Sequence, residues 1–173
     1  MMFHNKVFSR LFDSIYLRYA AICLSFCCGI YLGFRYYSEC SALLGSQMYR
    51  SVFAPISFGG LFGPFLPITI AFLLYAIIYN SFPFLCACLI EGFLTTLATI
   101  ACFCGFGRGA WLVSFCVLFS AYSSSVLTIV SSIVVFANRK AFHGRHFSLC
   151  FAIMLVIILF HYFCLQPYLL AVI

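Results

Sequence analysis

Glu91 is an acid in the wrong surroundings. It lies near the middle of an apolar run from Pro83 to Cys104. An ionised carboxylate at the centre of a membrane helix costs about 3 kcal/mol on insertion scales. Nine Leu, Ile and Phe residues between Phe84 and Phe103 offset about that much, so the segment still inserts. Glu91 must then face protein or a water-filled cavity, not lipid. A carboxyl so placed has a small menu of chemistry. It can hold a proton or a cation, clamp two helices together, or sit neutral and hydrogen-bonded to a neighbour's Ser or Thr. Thr95 is one turn on, on the same helix face. Ser123, Ser124 and Ser125 form a hydroxyl cluster further along the chain.

Other residues with reactive side chains carry weaker signals. His143 and His146 are three apart, but Lys140 and Arg145 beside them repel a cation, and no acid or thiolate is close in sequence. They read as solvated loop residues. His161 is a lone intramembrane His near Gln166 and reads as a packed, hydrogen-bonded group. Of the 11 cysteines, only Cys40 falls in a polar segment. The rest lie in apolar runs, where a thiol behaves as a small hydrophobe. Cys86-x-Cys88 and Cys102-x-Cys104 lack zinc-site spacing. No metal and no cofactor is expected. There is no G-x-S-x-G, no H-E-x-x-H and no P-loop. Asp13 and Glu39 are the only other acids, on segments remote from Glu91, so paired-carboxylate chemistry lacks its second member. The chain reads as a non-enzyme.

The composition says what must position these groups. Of 173 residues, 66% are hydrophobic and 7% charged. A soluble domain is about 25% charged, so this chain cannot cover a water-facing surface. Disorder demands the reverse composition. An all-α, polytopic transmembrane bundle remains, with membrane lipid as its solvent. The net charge of +6 is scattered between apolar blocks. It does not form the one-sided stripe that nucleic acid requires.

Five helices are predicted: 15–34, 65–79, 83–104, 110–137 and 149–170. A short cytoplasmic segment, 1–14, precedes them, and 15–173 form a single membrane domain. The first block reads as a retained helix, not a cleaved leader, because bulky Arg35-Tyr36-Tyr37 follows it. Gly29 and Gly33 lie on one of its faces and permit close packing. Residues 35–60 form a polar external segment, with a short surface helix over 41–52. The Gly/Pro stretch 53–67 reads as an interfacial or re-entrant turn. The fourth block exceeds one straight crossing, so it must tilt, kink or break, with Ser120 and Ser123 to Ser125 its weak point. A sixth crossing would come from the Gly/Pro stretch and a split fourth helix. With the N-terminus inside, cytoplasmic segments hold Lys6, Arg10, Arg18, Arg139, Lys140 and Arg145. External ones hold Arg35, Arg50 and Arg108. The excess of basic residues therefore places the N-terminus in the cytoplasm of a multi-pass cell-membrane protein.

Thr69 to Lys140 resembles the stage II sporulation protein M family of small bacterial membrane proteins. The resemblance rests on Asn80-Ser81-Phe82-Pro83, Glu91-Gly92-Phe93, Gly105-Phe106-Gly107-Arg108-Gly109 and Arg139-Lys140. The first helix with Gly29 and Gly33 also fits. Two departures stand out: the family commonly has Lys-Gly-Phe where this chain has Glu91-Gly92-Phe93, and prolines where it has Ser123 to Ser125. The resemblance implies a scaffold in sporulation engulfment, holding peptidoglycan-degrading partners outside the membrane. The implied partners are membrane or cell-wall proteins, and a homo-oligomer is open. The rival reading is a substrate-binding membrane subunit of a vitamin-type uptake transporter, with Glu91, His161 and the Gly/Pro stretch lining its pocket.

Overall fold

The computed structural model describes residues 15–53, 63–78, 80–105, 111–137 and 144–165. All five helices lie among them: α1 (Ile15–Phe53), α2 (Leu66–Ile78), α3 (Phe82–Gly105), α4 (Trp111–Ala137) and α5 (Gly144–Phe160). One 3₁₀ turn, 63–65, leads into α2. A π-helical turn, His161–Leu165, continues α5. The segment 1–14, most of the Gly/Pro stretch, and residues 166–170 of the expected last helix lie outside the described residues.

Two boundaries differ markedly from expectation, and the fourth block does not break at its serines. α1 does not stop at residue 34; it continues unbroken to Phe53 for 39 residues. The physical reason is that polarity ends a membrane crossing but does not end a helix. The first proline after Ile15 is Pro55, so nothing earlier removes a backbone donor. α5 begins at Gly144, because Arg145 and His146 are as helical as the apolar residues after them. α4 is continuous through its serines. Their hydroxyls return to their own helix instead of opening it: Ser123 donates to the Phe119 carbonyl at 2.6 Å, and Ser132 to that of Thr128 at 2.7 Å. The split fourth helix that a sixth crossing needs does not occur.

Parts of α1, α3, α4 and α5 are long and apolar enough to cross a membrane: Tyr16–Glu39, Phe82–Ile100, Leu118–Ala137 and Arg145–Cys164. The outward faces are apolar: Leu24, Ile77, Phe103 and Val156 are all more than three-fifths exposed. Water would not tolerate such a surface, whereas lipid requires it. This is the make-up of an integral membrane protein. α2 is shorter, at 13 residues, or about 20 Å. The start of α3 is well defined, for the Asn80 side chain accepts the Phe82 N–H at 3.0 Å. Pro83 then sits in the first turn of α3, where its missing donor is harmless.

Contacts fix the helix directions. Gly29 lies against Leu89, and Gly33 against Phe93 and Thr96, so α1 and α3 run side by side in the same direction. α4 runs against α3, pairing Ser132 with Cys88 and Tyr122 with Thr99. α5 runs against α4, pairing Phe160 with Phe119 and Cys150 with Ser131. Two neighbouring crossings in one direction oblige the chain to return between them. α2 is the described helix that makes that return.

Packing is tightest where α1 meets α3. A Cβ on Gly29 would collide with the Leu89 carbonyl oxygen, and one on Gly92 with that of Phe26. One on Gly33 would lie 2.8 Å from Thr96 Cβ. With no water-driven force between helices in lipid, this close backbone approach supplies the attraction. At the other end of α3, Phe84 is fully buried. It meets Phe72 and Tyr75 of α2 edge to face, with ring centroids 5.1 and 5.8 Å apart. Phe72 meets Phe147 of α5 at 5.3 Å. Arg18, near the start of α1, donates to the Phe136 carbonyl at 2.9 Å. It thereby satisfies a carbonyl in the last turn of α4, where the helix dipole favours a cation.

Candidate functional site

A polar seam runs through the α3–α4 interface. On α3, Cys88, Glu91, Thr95 and Thr99 recur every three or four residues and form one stripe. On α4 the matching stripe is Ser124, Ser125, Thr128 and Ser132. Cys88 and Ser132 approach to 3.2 Å, Thr95 and Ser125 to 2.5 Å, and Thr99 and Tyr122 to 3.2 Å. Between the first two contacts sits Glu91, 1% exposed. Its Oε2 accepts from the Ser124 hydroxyl at 2.9 Å and from that of Ser125 at 3.4 Å.

The Ser124 hydroxyl also lies 2.9 Å from the Ala121 carbonyl, so two acceptors share its one proton. Glu91 Oε1 and the neighbouring Thr128 Oγ1 are enclosed, and neither has a hydrogen-bond partner among the described residues. The arrangement joins two helices through hydroxyls and one carboxyl.

The structure brings together Glu91, Thr95, Ser124 and Ser125. It leaves out Ser123, which bonds its own helix, and His161, which is buried on the π-helical turn after α5. Neither ring nitrogen of His161 has a partner among the described residues. Gly92 is adjacent to Glu91 in sequence but turns to α1, where it meets Phe26 and Ile30 opposite Gly29. Glu91 and Gly92 thus couple α3 to α4 on one side and to α1 on the other. Cys88, Thr128 and Ser132 belong to the seam too. Sequence reasoning took Cys88 only for a packing residue, and the i, i+4, i+8 spacing of Ser124, Thr128 and Ser132 is the signal that would have found the rest.

No three His, Cys, Asp or Glu side chains gather to hold a metal among the described residues. His143 lies outside them, and His146 is exposed. A small apolar cavity of about 20 Å³ sits between α2, α4 and α5, lined by Ile68, Phe72, Leu127 and Met154 among others. Two open grooves lie on the outer surface, one between α1 and α3 and one between α4 and α5. Glu91 and His161 line none of the three. No protein-family model, no curated protein and no solved structure matches this chain.

Proposed function

We propose that this protein is a non-enzymatic scaffold of the cell membrane, its N-terminus cytoplasmic, that positions peptidoglycan-degrading partners outside the membrane, as the sporulation-family resemblance implies. The unbroken length of α1 carries the reading. Its 39 residues extend about 58 Å, whereas the hydrocarbon core is about 30 Å thick. The crossing ends at Glu39. Residues 40–53 prolong the helix as a polar arm holding Gln47, Arg50 and three serines. The glycine contacts seat the lower half of the same helix against α3, so the arm is a continuation of the bundle and not a tether. The polar seam serves the same end: its carboxyl ties two helices together and faces none of the three cavities.

The test is photo-crosslinking from position 47 in the full chain, in its native membrane. Adducts with extracytoplasmic wall-degrading proteins are expected. A small molecule co-purifying at one per chain, with no protein adduct from the arm, would replace this reading with the uptake-transporter one.

A further inference from the structure

We propose that the groove between α1 and α3 is a binding site for a phospholipid whose headgroup carries both a phosphate and an ammonium group. The groove holds about 650 Å³ and opens to the surrounding medium. Its walls are Leu32 of α1 with Leu89, Ile90 and Phe93 of α3. Tyr36 closes one side against Phe93, with centroids 5.6 Å apart. Lipid surrounds this surface, and an apolar groove of this size accepts part of an acyl chain. Arg35 and Glu39 stand at its rim, where the crossing segment of α1 ends.

The order of these two charges identifies the headgroup. Arg35 lies just over one helical turn, about 6 Å, nearer the membrane centre than Glu39. In a phosphatidylethanolamine-type lipid the phosphate is nearest the glycerol and the ammonium lies further out, at a comparable spacing. Arg35 therefore meets the phosphate, which guanidinium recognises well, and Glu39 meets the ammonium. An anionic lipid that lacks the ammonium gains Arg35 but faces repulsion from Glu39. Arg35 and Glu39 bond each other at 3.1 Å, yet both are 63% exposed. A pair so open to solvent contributes little by itself, so exchanging it for headgroup contacts costs little.

The test is lipid retention by the full-length protein in native mass spectrometry. The probes are dioleoyl phosphatidylethanolamine and dioleoyl phosphatidylglycerol, supplied at equal concentration. The wild type should retain the first over the second by about tenfold, the scale of one charge-assisted contact. Glu39→Gln should abolish that preference, and Arg35→Gln should release both lipids. The double exchange Arg35→Glu with Glu39→Arg keeps the intrahelical pair but inverts its order. It should lose the preference as well. Equal retention of the two lipids by the wild type would overturn the proposal. So would an exchanged protein that selects as the wild type does, since the pair would then only brace the helix.

Discussion

The proton count around Glu91 decides how this carboxyl is held. Ser124 offers one hydrogen to two acceptors, the Ala121 carbonyl and Glu91 Oε2. An ionised carboxylate adds only acceptors, and no basic side chain bonds it among the described residues. A neutral carboxyl adds a hydrogen to the seam and avoids the burial of an unpaired charge, which is severe in a low-dielectric interior. Glu91→Gln keeps the shape, an acceptor and a donor. It should change unfolding stability in micelles by less than about 1 kcal/mol. Glu91→Ala removes the clamp and opens a void, and should cost about 2–3 kcal/mol. Equal losses from the two substitutions would mean that an ionised, paired Glu91 holds the helices. The sequence could show that this acid needed partners, and Thr95 and the serine run were visible candidates. It could not show which serine would reach across. A Ser or Thr in a membrane helix can always bond its own preceding turn, as Ser123 does and as Thr96 does to the Gly92 carbonyl. Residue type alone does not separate that local bond from a bond between helices, so Thr128 and Ser132 stayed hidden.

For the helices, apolar runs were a reliable guide to existence and a poor guide to extent. All five helices were legible because each run is long and bounded by polar or Gly/Pro residues. α1 was read as ending with its apolar run, and yet its backbone carries on to Phe53. The Gly29-x-x-x-Gly33 face was legible too, but its partner was not, since small residues mark a close contact without naming the helix across it. That partner is α3, with Gly92 returning the contact. Because the missing Cβ of Gly29 and that of Gly92 each face backbone, relief by a side-chain rotation is closed off at both. Gly29→Ala and Gly92→Ala should each destabilise the bundle by about 2 kcal/mol or more, as overpacking does. Gly63 offers the control, for an added Cβ there meets nothing within 4 Å, and Gly63→Ala should leave the melting temperature unchanged. Thermal unfolding in one detergent compares all three. Tolerance of alanine at both Gly29 and Gly92 would show that α1 and α3 do not touch through their backbones.

Across the whole molecule, the direction of α1 beside α3 is the least intuitive feature and the one with the widest consequence. The apolar run 65–79 reads as a crossing from the sequence, although by length and hydropathy four other helices among the described residues suffice alone. Four crossings in simple alternation would put α1 and the next long helix, α3, in opposite directions. The contacts put them in the same direction, which makes α2 a return crossing despite its 13 residues. With its 3₁₀ lead-in it covers about 25 Å, short of the full hydrocarbon thickness. The bilayer can thin locally around such a helix. The end of the bundle holding Arg18, Phe84, Phe136 and Phe147 then faces one side of the membrane, and the end holding Glu39 and Gly105 faces the other. Membrane-impermeant maleimide can test this in intact cells, on proteins carrying one cysteine each. Cys40, and a cysteine replacing Gly105, should label together from outside, as the proposed cytoplasmic N-terminus requires. A cysteine replacing Ala137 should label only after the cells are opened, and so should confirm that the reagent does not leak. Labelling of Cys40 and position 105 from opposite sides would remove the return crossing, and with it the parallel placement of α1 and α3. Labelling of both only in opened cells would keep the architecture and invert its orientation, carrying the polar arm of α1 to the cytoplasm and away from any partner at the cell wall.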